Sequence, residues 1–460
     1  MTKSRHYIKI LILFLGDIGL LYLSLLVSLF IRYYPDPDWI LIDQHIVPFS
    51  IIFAAWFVFF NAFGLYDLKF MKNEKMFLYR ILRLMLTNTI LAIILFYFFP
   101  FTIEPRRNLL IIAILTTILI ALWRYLFNFF LIKTPASRIL FFGLDKEMNE
   151  LAEYLLQNRQ LGLKPIGFIS ENASLPVLSP NFLPLPFYKL TERNLKEVAK
   201  ETHADSIIIS REIKENKTLA KILFQIIPLG IGVIEFTKFH EMVTGKIPHS
   251  LIGEIWFLEN LIGIKKELYD SLKRTCDIVL SLIFIIPSFF LFPLITFAIK
   301  LESPGPVFFR QKRVGKNGQE FLLVKFRSMV ENAEKMSGFK GEDIDPRHTK
   351  VGAFLRKSYL DELPQIFNIV RGEMSFVGPR PERPEYVAKL KQQIPFYEMR
   401  LLVLPGITGW AQINMENDAS VEDAPEKMQY DLYYVKNRTF ILDLLIIIRT
   451  IFSIIGRQGR

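Results

Sequence analysis

Four long apolar runs open the chain, near Ile8–Ile31, Ile46–Leu65, Ile81–Phe101 and Asn108–Ile132. Each is close to the ~20 residues that a helix needs to cross a hydrocarbon core ~30 Å thick. The first is too long for a signal-peptide core and no small-residue cleavage site follows it, so it reads as a retained span. The polar stretches between the runs set an orientation. Lys3, Arg5 and Lys9 precede the first run. The next loop holds Asp36, Asp38 and Asp43 with no Lys or Arg beyond Arg32, and the loop after it holds Lys69, Lys72, Lys75, Arg80 and Arg83. The Lys/Arg bias puts the N-terminus, and everything after about residue 133, on the cytoplasmic side. Only Arg106 and Arg107 in the third loop run against it. Arg124, inside the fourth run, reads as facing a neighbouring helix or snorkelling to the inner face rather than marking a pathway.

From Arg138 the pattern changes to short apolar segments alternating with helical ones. Ile139–Phe142, Pro165–Ile169, Ala204–Ile209 and Ile231–Phe236 predict strands, and Lys146–Gln157 and Leu219–Ile227 predict helices. That alternation predicts a small parallel α/β domain, Rossmann-like in order. A dinucleotide site at the first strand–helix turn needs several glycines, and here Gly143 stands alone among acidic residues. The domain therefore reads as a structural or regulatory spacer. The stretch Leu175–Pro186, with four prolines, reads as a loop within it.

A fifth apolar run, Ile278–Ile299, carries no charge but has Pro287 and Pro293 inside it. Lys265, Lys266, Lys273 and Arg274 precede it, and Arg310, Lys312, Arg313 and Lys316 follow it. Basic flanks on both sides put both ends in the cytoplasm. The run is therefore expected to form a re-entrant helix, over about residues 275–300, broken at mid-depth near Pro287, Ser288 and Pro293, rather than a fifth span. The domains predicted are a four-helix transmembrane bundle at 1–134, the α/β domain at 135–262, and an α-rich domain with the re-entrant helix at 263–460.

Composition sharpens this picture. Of 460 residues 51% are hydrophobic, and the mean hydropathy is +0.30, yet 22% are charged. This is a membrane protein with a substantial wet part, and a wholly soluble or disordered chain is excluded. The formal net charge of +11 suits nucleic acid, an anionic membrane surface or phosphorylated substrates, and does not choose among them. One cysteine, Cys276, excludes an internal disulfide and a cysteine-rich zinc site, and the six histidines are scattered.

The chemistry is concentrated after residue 300. Val307–Val314 and Glu320–Lys325 are strand-like and joined by Gly315-Lys-Asn-Gly318, a hairpin turn. Pro364 predicts a helix from Pro364 to about Arg371, stopped at Gly372. Asp361 and Glu362 then lie at its N-terminal end, where they can hold Mg²⁺ through oxygen ligands or offer one carboxylate as a nucleophile. An acidic pair at a helix start is also an ordinary cap. The accompanying Lys325, Arg327, Arg356, Lys357 and Arg380 argue otherwise, because arginine forks match phosphate oxygens. Phe440–Ile455 is apolar but interrupted by Asp443 and Arg449, and reads either as an interfacial helix or as one packed on the domain.

Specific strings carry a family resemblance. They are Ser303-Pro-Gly-Pro-Val-Phe-Phe-Arg-Gln311, Arg313-Val-Gly315, Lys325-Phe-Arg-Ser-Met329, Leu360-Asp-Glu-Leu-Pro-Gln365, Ser375-Phe-Val-Gly-Pro-Arg-Pro381 and Leu404-Pro-Gly-Ile-Thr-Gly-Trp-Ala-Gln-Ile-Asn414. From about Lys273 to the C-terminus the chain resembles the bacterial sugar transferases, the monotopic phosphoglycosyl transferases. The four spans and the α/β domain resemble the large form of that family. The family's re-entrant helix usually breaks at a Ser-Pro pair, whereas here the order is Pro287-Ser288.

The resemblance implies transfer of sugar-1-phosphate from a UDP-sugar, glucose or galactose foremost, to undecaprenyl phosphate, with release of UMP. Such a step initiates exopolysaccharide, capsule or O-antigen synthesis. It implies Asp361 as nucleophile, Glu362 on Mg²⁺ together with Asp361, Arg356 on donor phosphate, Arg380 at the nucleotide, Lys325 and Arg327 as a basic motif nearby, and Asp431 as a further acidic position at the substrate. It also implies a multi-pass protein of the bacterial inner membrane with its catalytic part on the cytoplasmic face, contacts with membrane lipid, no nucleic-acid partner, and a homodimer. Three alternatives stay open: direct attack by the lipid phosphate, a regulatory membrane protein of polysaccharide assembly, and a nucleotide-sugar dehydratase on the α/β domain. The last lacks its glycine-rich turn.

Overall fold

The computed structural model describes residues 2–34, 39–67, 75–98, 106–133, 136–143, 145–170, 185–190, 194–210, 217–248, 252–261, 266–330, 333, 347–415 and 423–455. The chain divides into two compact units, Met1–Phe239 and His240–Arg460. The predicted proline-rich loop Leu175–Pro186 lies almost wholly outside the described residues, as do Asp36, Asp38, Lys69 and Lys72 of the first two loops.

In the first unit, α1 (Thr2–Tyr33), α2 (Trp39–Ala62), α3 (Lys75–Phe98) and α4 (Arg106–Lys133) correspond to the four apolar runs. α2 starts earlier than its run because Ile40, Leu41 and Ile42 extend the apolar pattern upstream. Each helix holds 23–26 residues long and apolar enough to cross a membrane. α1 packs on α2 and α4, and α3 on α2 and α4. The packing is inverted relative to a soluble protein. Leu11, Ile31, Leu86 and Ile114 point outward, while Asp17, Ser24, Ser28, Asn88, Thr116 and Arg124 are fully buried. Polar side chains in lipid must find partners inside the protein. Arg124 finds Asp17 of α1, with Nη2 donating at 2.6 Å, and the Tyr66 hydroxyl donates to the same oxygen at 2.8 Å. Arg124 thus faces a neighbouring helix. Gly16 permits the close α1–α4 approach: a Cβ there would stand 2.5 Å from the Trp123 ring.

The rest of this unit is a five-stranded parallel sheet in the order β3-β2-β1-β4-β5, formed by β1 (Ser137–Phe142), β2 (Leu163–Ser170), β3 (Phe187–Lys189), β4 (Ser206–Ile209) and β5 (Gly232–Glu235). α5 (Lys146–Gln157), α6 (Leu195–Glu201) and α7 (Lys217–Phe224) are its helices. β1 and β4 are buried along almost their whole length, as parallel strands covered on both faces require. Gly143, at the end of β1, has φ +127°, and a Cβ on it would lie 3.2 Å from the Met148 sulfur. The turn where a dinucleotide phosphate would approach is therefore packed against the Met148 side chain.

The second unit begins with the latter part of α8 (Phe236–Thr244) and α9 (Glu254–Asn260). Ile247, Ile252, Trp256 and Phe257 share a core with Val387 and Leu390 of α13 (Pro384–Gln393) and with Met428 and Leu432 of α15 (Ala424–Asn437). The remaining elements are α10 (Glu267–Glu302), β6 (Phe308–Val314), β7 (Glu320–Phe326), α11 (Lys350–Lys357), α12 (Ile366–Arg371), β8 (Ser375–Val377), β9 (Gly406–Thr408), α14 (Trp410–Asn414) and α16 (Phe440–Ile455). β6 and β7 form the predicted antiparallel hairpin, with Asn317 in its turn at φ 56°. β8 and β9 pair in parallel.

α10 differs from the broken helix expected. It runs as one helix of 36 residues with Pro287 and Pro293 inside it. Each proline removes one backbone bond, which bends a helix without ending it. The buried Ser288 hydroxyl donates to the Phe284 carbonyl at 2.7 Å, beside the Ile283 carbonyl that Pro287 leaves unpaired. Near one end of α10, Arg274 donates to the Ile369 and Val370 carbonyls of α12, and Asp277 accepts from the Phe376 N–H of β8. Near the other, Ile295 and Ile299 pack on Phe326 and Leu355, and Glu302 accepts the Lys350 and Val351 N–H groups at the start of α11. Between them Phe289, Phe290 and Leu294 are exposed.

Of the two sequence readings of Phe440–Ile455, packing on the domain is seen in α16 along one side. Ile446 is buried against Val377 and Tyr434, while Ile441 and Leu444 face outward. Asp443, the charge within it, accepts from Tyr269, Lys273 and Tyr434 at 2.6–2.9 Å.

Candidate active site

α11 ends at Lys357 with Ser358 as its cap, and Tyr359 turns the chain with φ 57°. A bulky residue in the left-handed region costs roughly 1–2 kcal/mol, so the surrounding packing holds it there. The turn aims the next residues, a six-residue 3₁₀ segment Leu360–Gln365, at β7. The helix predicted from Pro364 begins two residues later, as α12 at Ile366, and stops at Gly372 (φ 84°) as expected. Asn368 fixes the register. Its side chain, with no exposure, accepts from the Val324 N–H and donates to the Leu322 carbonyl. One amide thus pairs the edge of β7 as a neighbouring strand would, and places Lys325 over the acidic pair. Sequence reasoning missed Asn368. Its signal was an amide inside the otherwise apolar run Ile366-Phe-Asn-Ile-Val370.

Lys325 Nζ lies 2.6 Å from Glu362 Oε1, and Arg380 Nη2 lies 3.2 Å from the same oxygen. Burial alone would push the Glu362 carboxyl up, but the two cations outweigh it and hold it at about 2. Asp361 is only 7% exposed and accepts no hydrogen bond from a described residue. Burial pushes its carboxyl up to about 6, against the pull of Lys325, and the Glu362 charge pushes the same way. Arg356 and Arg380 also act to lower it. Two adjacent carboxylates are thus driven apart. Glu362 is fixed as an anion, and Asp361 is a buried, weakly solvated carboxylate without a hydrogen-bonded partner. Such separation marks sites where neighbouring acids take different tasks.

The structure therefore brings Asp361, Glu362, Lys325 and Arg380 together, with Arg356 close enough to act on Asp361. Arg356 Nη1 also donates to His348 Nε2 at 2.7 Å. Two further predicted residues make no hydrogen bond to the acidic pair. Arg327 is buried and donates to the Ser303 and Pro304 carbonyls, so it fixes the loop between α10 and β6. Asp431 is 1% exposed and paired with Arg400. Among the described residues no group of three or more His, Cys, Asp and Glu side chains is placed to hold a metal. The donors on offer to a metal are the unpartnered Asp361 carboxylate and Glu362 Oε2, since both cations contact Oε1. Mg²⁺ commonly takes one or two carboxylates and completes its shell with substrate phosphates and water, so this pair fits it.

Residues 268–457 match the family model described as bacterial sugar transferase. The chain is 41% identical over 232 residues to a UDP-N-acetylgalactosamine-undecaprenyl-phosphate N-acetylgalactosaminephosphotransferase of Aeromonas hydrophila, covering 50% of this chain and 53% of that protein. It is 32% identical over 328 residues to a UDP-glucose:undecaprenyl-phosphate glucose-1-phosphate transferase of Xanthomonas campestris pv. campestris, covering 70% and 67%. It is 34% identical over 219 residues to an exopolysaccharide production protein of Sinorhizobium fredii, covering 44% of this chain and 94% of that protein. The matches thus span about half to two thirds of the first two relatives. With the six strings quoted above, the helix carrying the paired prolines and the acidic pair falling inside the matched region, the chain belongs to the bacterial sugar transferase family.

Proposed function

We propose that the protein transfers sugar-1-phosphate from a UDP-sugar to undecaprenyl phosphate through a phosphosugar held on Asp361. The observation that carries this reading is the separation of the two acids by Lys325 and Arg380, which leaves Asp361 buried, unpaired and flanked by cations. An Asp361 oxygen attacks the phosphorus next to the sugar. The bond from that phosphorus to the bridging oxygen breaks, and UMP leaves with that oxygen. The acyl phosphate formed is then attacked by an oxygen of the lipid phosphate, which restores the carboxylate and yields the lipid diphosphate sugar. Asp361 and Glu362 would hold Mg²⁺, which when bound neutralises diphosphate charge. Arg380 and Lys325 keep Glu362 ionised, and Arg356 adds positive charge where phosphate oxygens gather. Direct attack by the lipid phosphate is the second reading, with Asp361 a base or ligand.

The relatives' names support both substrates and leave the sugar to be chosen, with glucose and N-acetylgalactosamine named among them. Purified protein with undecaprenyl phosphate and Mg²⁺ is expected to release UMP from one of UDP-glucose, UDP-galactose or UDP-N-acetylgalactosamine. Release from none of a broad UDP-sugar panel would remove the reading.

The acceptor's phosphate lies at a membrane surface, and the packing of α10 supports an active site placed there. Arg274 and Phe292 both contact α12, a helix of six residues, although 18 residues of straight helix span about 27 Å. If α10 crossed the bilayer, the charged domain along it would lie in hydrocarbon. We read it as re-entrant from the cytoplasmic face. The native Cys276 is exposed near one end. It and a Lys300→Cys probe in a Cys276→Ser background are both expected to resist an impermeant thiol reagent in intact cells and to react in inverted vesicles. Labelling of only one from outside would make α10 a fifth span.

A further inference from the structure

The loop that carries Arg380 has two prolines, Pro379 and Pro381, and so lacks two backbone donors. It is held instead by its carbonyls. The Gly406 N–H donates to the Pro379 carbonyl at 3.0 Å, Arg400 Nη2 to the Arg380 carbonyl at 2.9 Å, Arg313 Nη1 to the Pro381 carbonyl at 2.8 Å, and the Val314 N–H to the Glu382 carbonyl at 2.9 Å. Four successive carbonyls each have one donor, and two of those donors are guanidinium groups. Arg400 has no freedom left. Its Nε donates to Asp431 at 2.8 Å and its Nη1 to the Tyr397 hydroxyl at 2.9 Å, and Arg400 and Asp431 are 2% and 1% exposed. Arg313 Nη2 is likewise spent on Gln311 Oε1 at 2.7 Å. Neither arginine touches the acidic pair.

We propose that Arg313 and Arg400 are positioning residues for Arg380, and that Asp431 acts on the site only through Arg400. The two guanidinium groups clamp the loop so that the Arg380 side chain stands against Glu362, beside Asp361. This rests on the transferase reading for its catalytic consequence, and on the geometry alone for the clamp. Arginine suits the task because its planar fork serves a carbonyl and a second acceptor at once, whereas a lysine serves them through one mobile ammonium.

The test is a double-mutant cycle with an exchange measurement. Arg313→Met removes the donor to Pro381 and keeps an apolar stem. It is expected to speed amide exchange in a peptide covering residues 378–383 and to lower kcat/KM for UMP release on the order of 10²-fold, as misplaced catalytic groups do. Arg313→Lys is expected to restore part of both. In an Arg380→Ala background Arg313→Met is expected to add no further loss, since its effect passes through that side chain. For the buried pair, Arg400→Met with Asp431→Leu removes both charges together, an exchange that usually preserves a fold, and is expected to behave as Arg313→Met does. Unchanged exchange in 378–383 would overturn the clamp whatever the activity. Equal further loss in the Arg380→Ala background would overturn the positioning role. A wild type without UMP release would overturn the transferase reading and leave the exchange result to decide the clamp.

Discussion

Asp361→Asn is expected to lower transfer on the order of 10³-fold or more while leaving the protein at least as stable as the wild type. The two effects share a cause. In the folded protein the Asp361 carboxyl is pushed up from 3.8 to about 6. The native state therefore keeps a proton that the unfolded chain releases between those values. Stability is greatest below 3.8 and falls as the pH rises through 6, so at pH 7 the buried charge costs about 3 kcal/mol. Asparagine keeps the shape and removes the charge. A melting temperature that stays or rises, together with lost UMP release, is the expected pair of results. On the proposed route the same carboxyl is expected to give wild-type activity an acid limb at or below about 6, since Mg²⁺ on the pair favours the ionised form. A variant that melts much earlier would mean that the carboxylate supports the fold rather than straining it.

Lys325→Met is expected to do the opposite to stability. It keeps the stem of the side chain and removes the ammonium 2.6 Å from Glu362. Glu362 is held at about 2 rather than 4.5, so it contributes about 3 kcal/mol above pH 4.5, lost as the pH falls toward 2. Breaking a buried pair by removing one partner costs about 3–5 kcal/mol, because the remaining charge stays desolvated. A fall in melting temperature of roughly 10 °C follows for a unit of this size. Lys325 is also the strongest influence lowering the Asp361 carboxyl. Any remaining activity should therefore show an acid limb moved to higher pH than in the wild type. An unchanged melting temperature with an unchanged limb would show that the Lys325–Glu362 pair does not form.

The parts of the fold readable from the sequence were those with a strong local pattern. The apolar runs, the turn Gly315-Lys-Asn-Gly318 and the Gly372 stop each obey one dominant physical rule. The site was half legible. Asp361, Glu362, Lys325 and Arg380 sit in dense strings of charge and do converge. Asp431 and Arg327 look no different in sequence, yet both are spent on structure, Asp431 by Arg400 and Arg327 by two carbonyls. Nothing local to Asp431 indicates a partner 31 residues away. The helix expected to start at Pro364 also has a different form from the one predicted. A 3₁₀ turn precedes a six-residue helix, and burial is the largest influence on the Asp361 carboxyl. β3, three residues long, has too few positions to show any alternation.

The most direct test of a phosphosugar on Asp361 is a reaction run without acceptor lipid. Protein mixed with its UDP-sugar and Mg²⁺ should release about one UMP per enzyme in a single burst, with the phosphosugar recovered on a peptide containing Asp361, and Asp361→Asn should show neither. Full turnover on later addition of undecaprenyl phosphate, with no preceding burst and no modified peptide, would contradict the covalent route and leave direct attack by the lipid phosphate in its place.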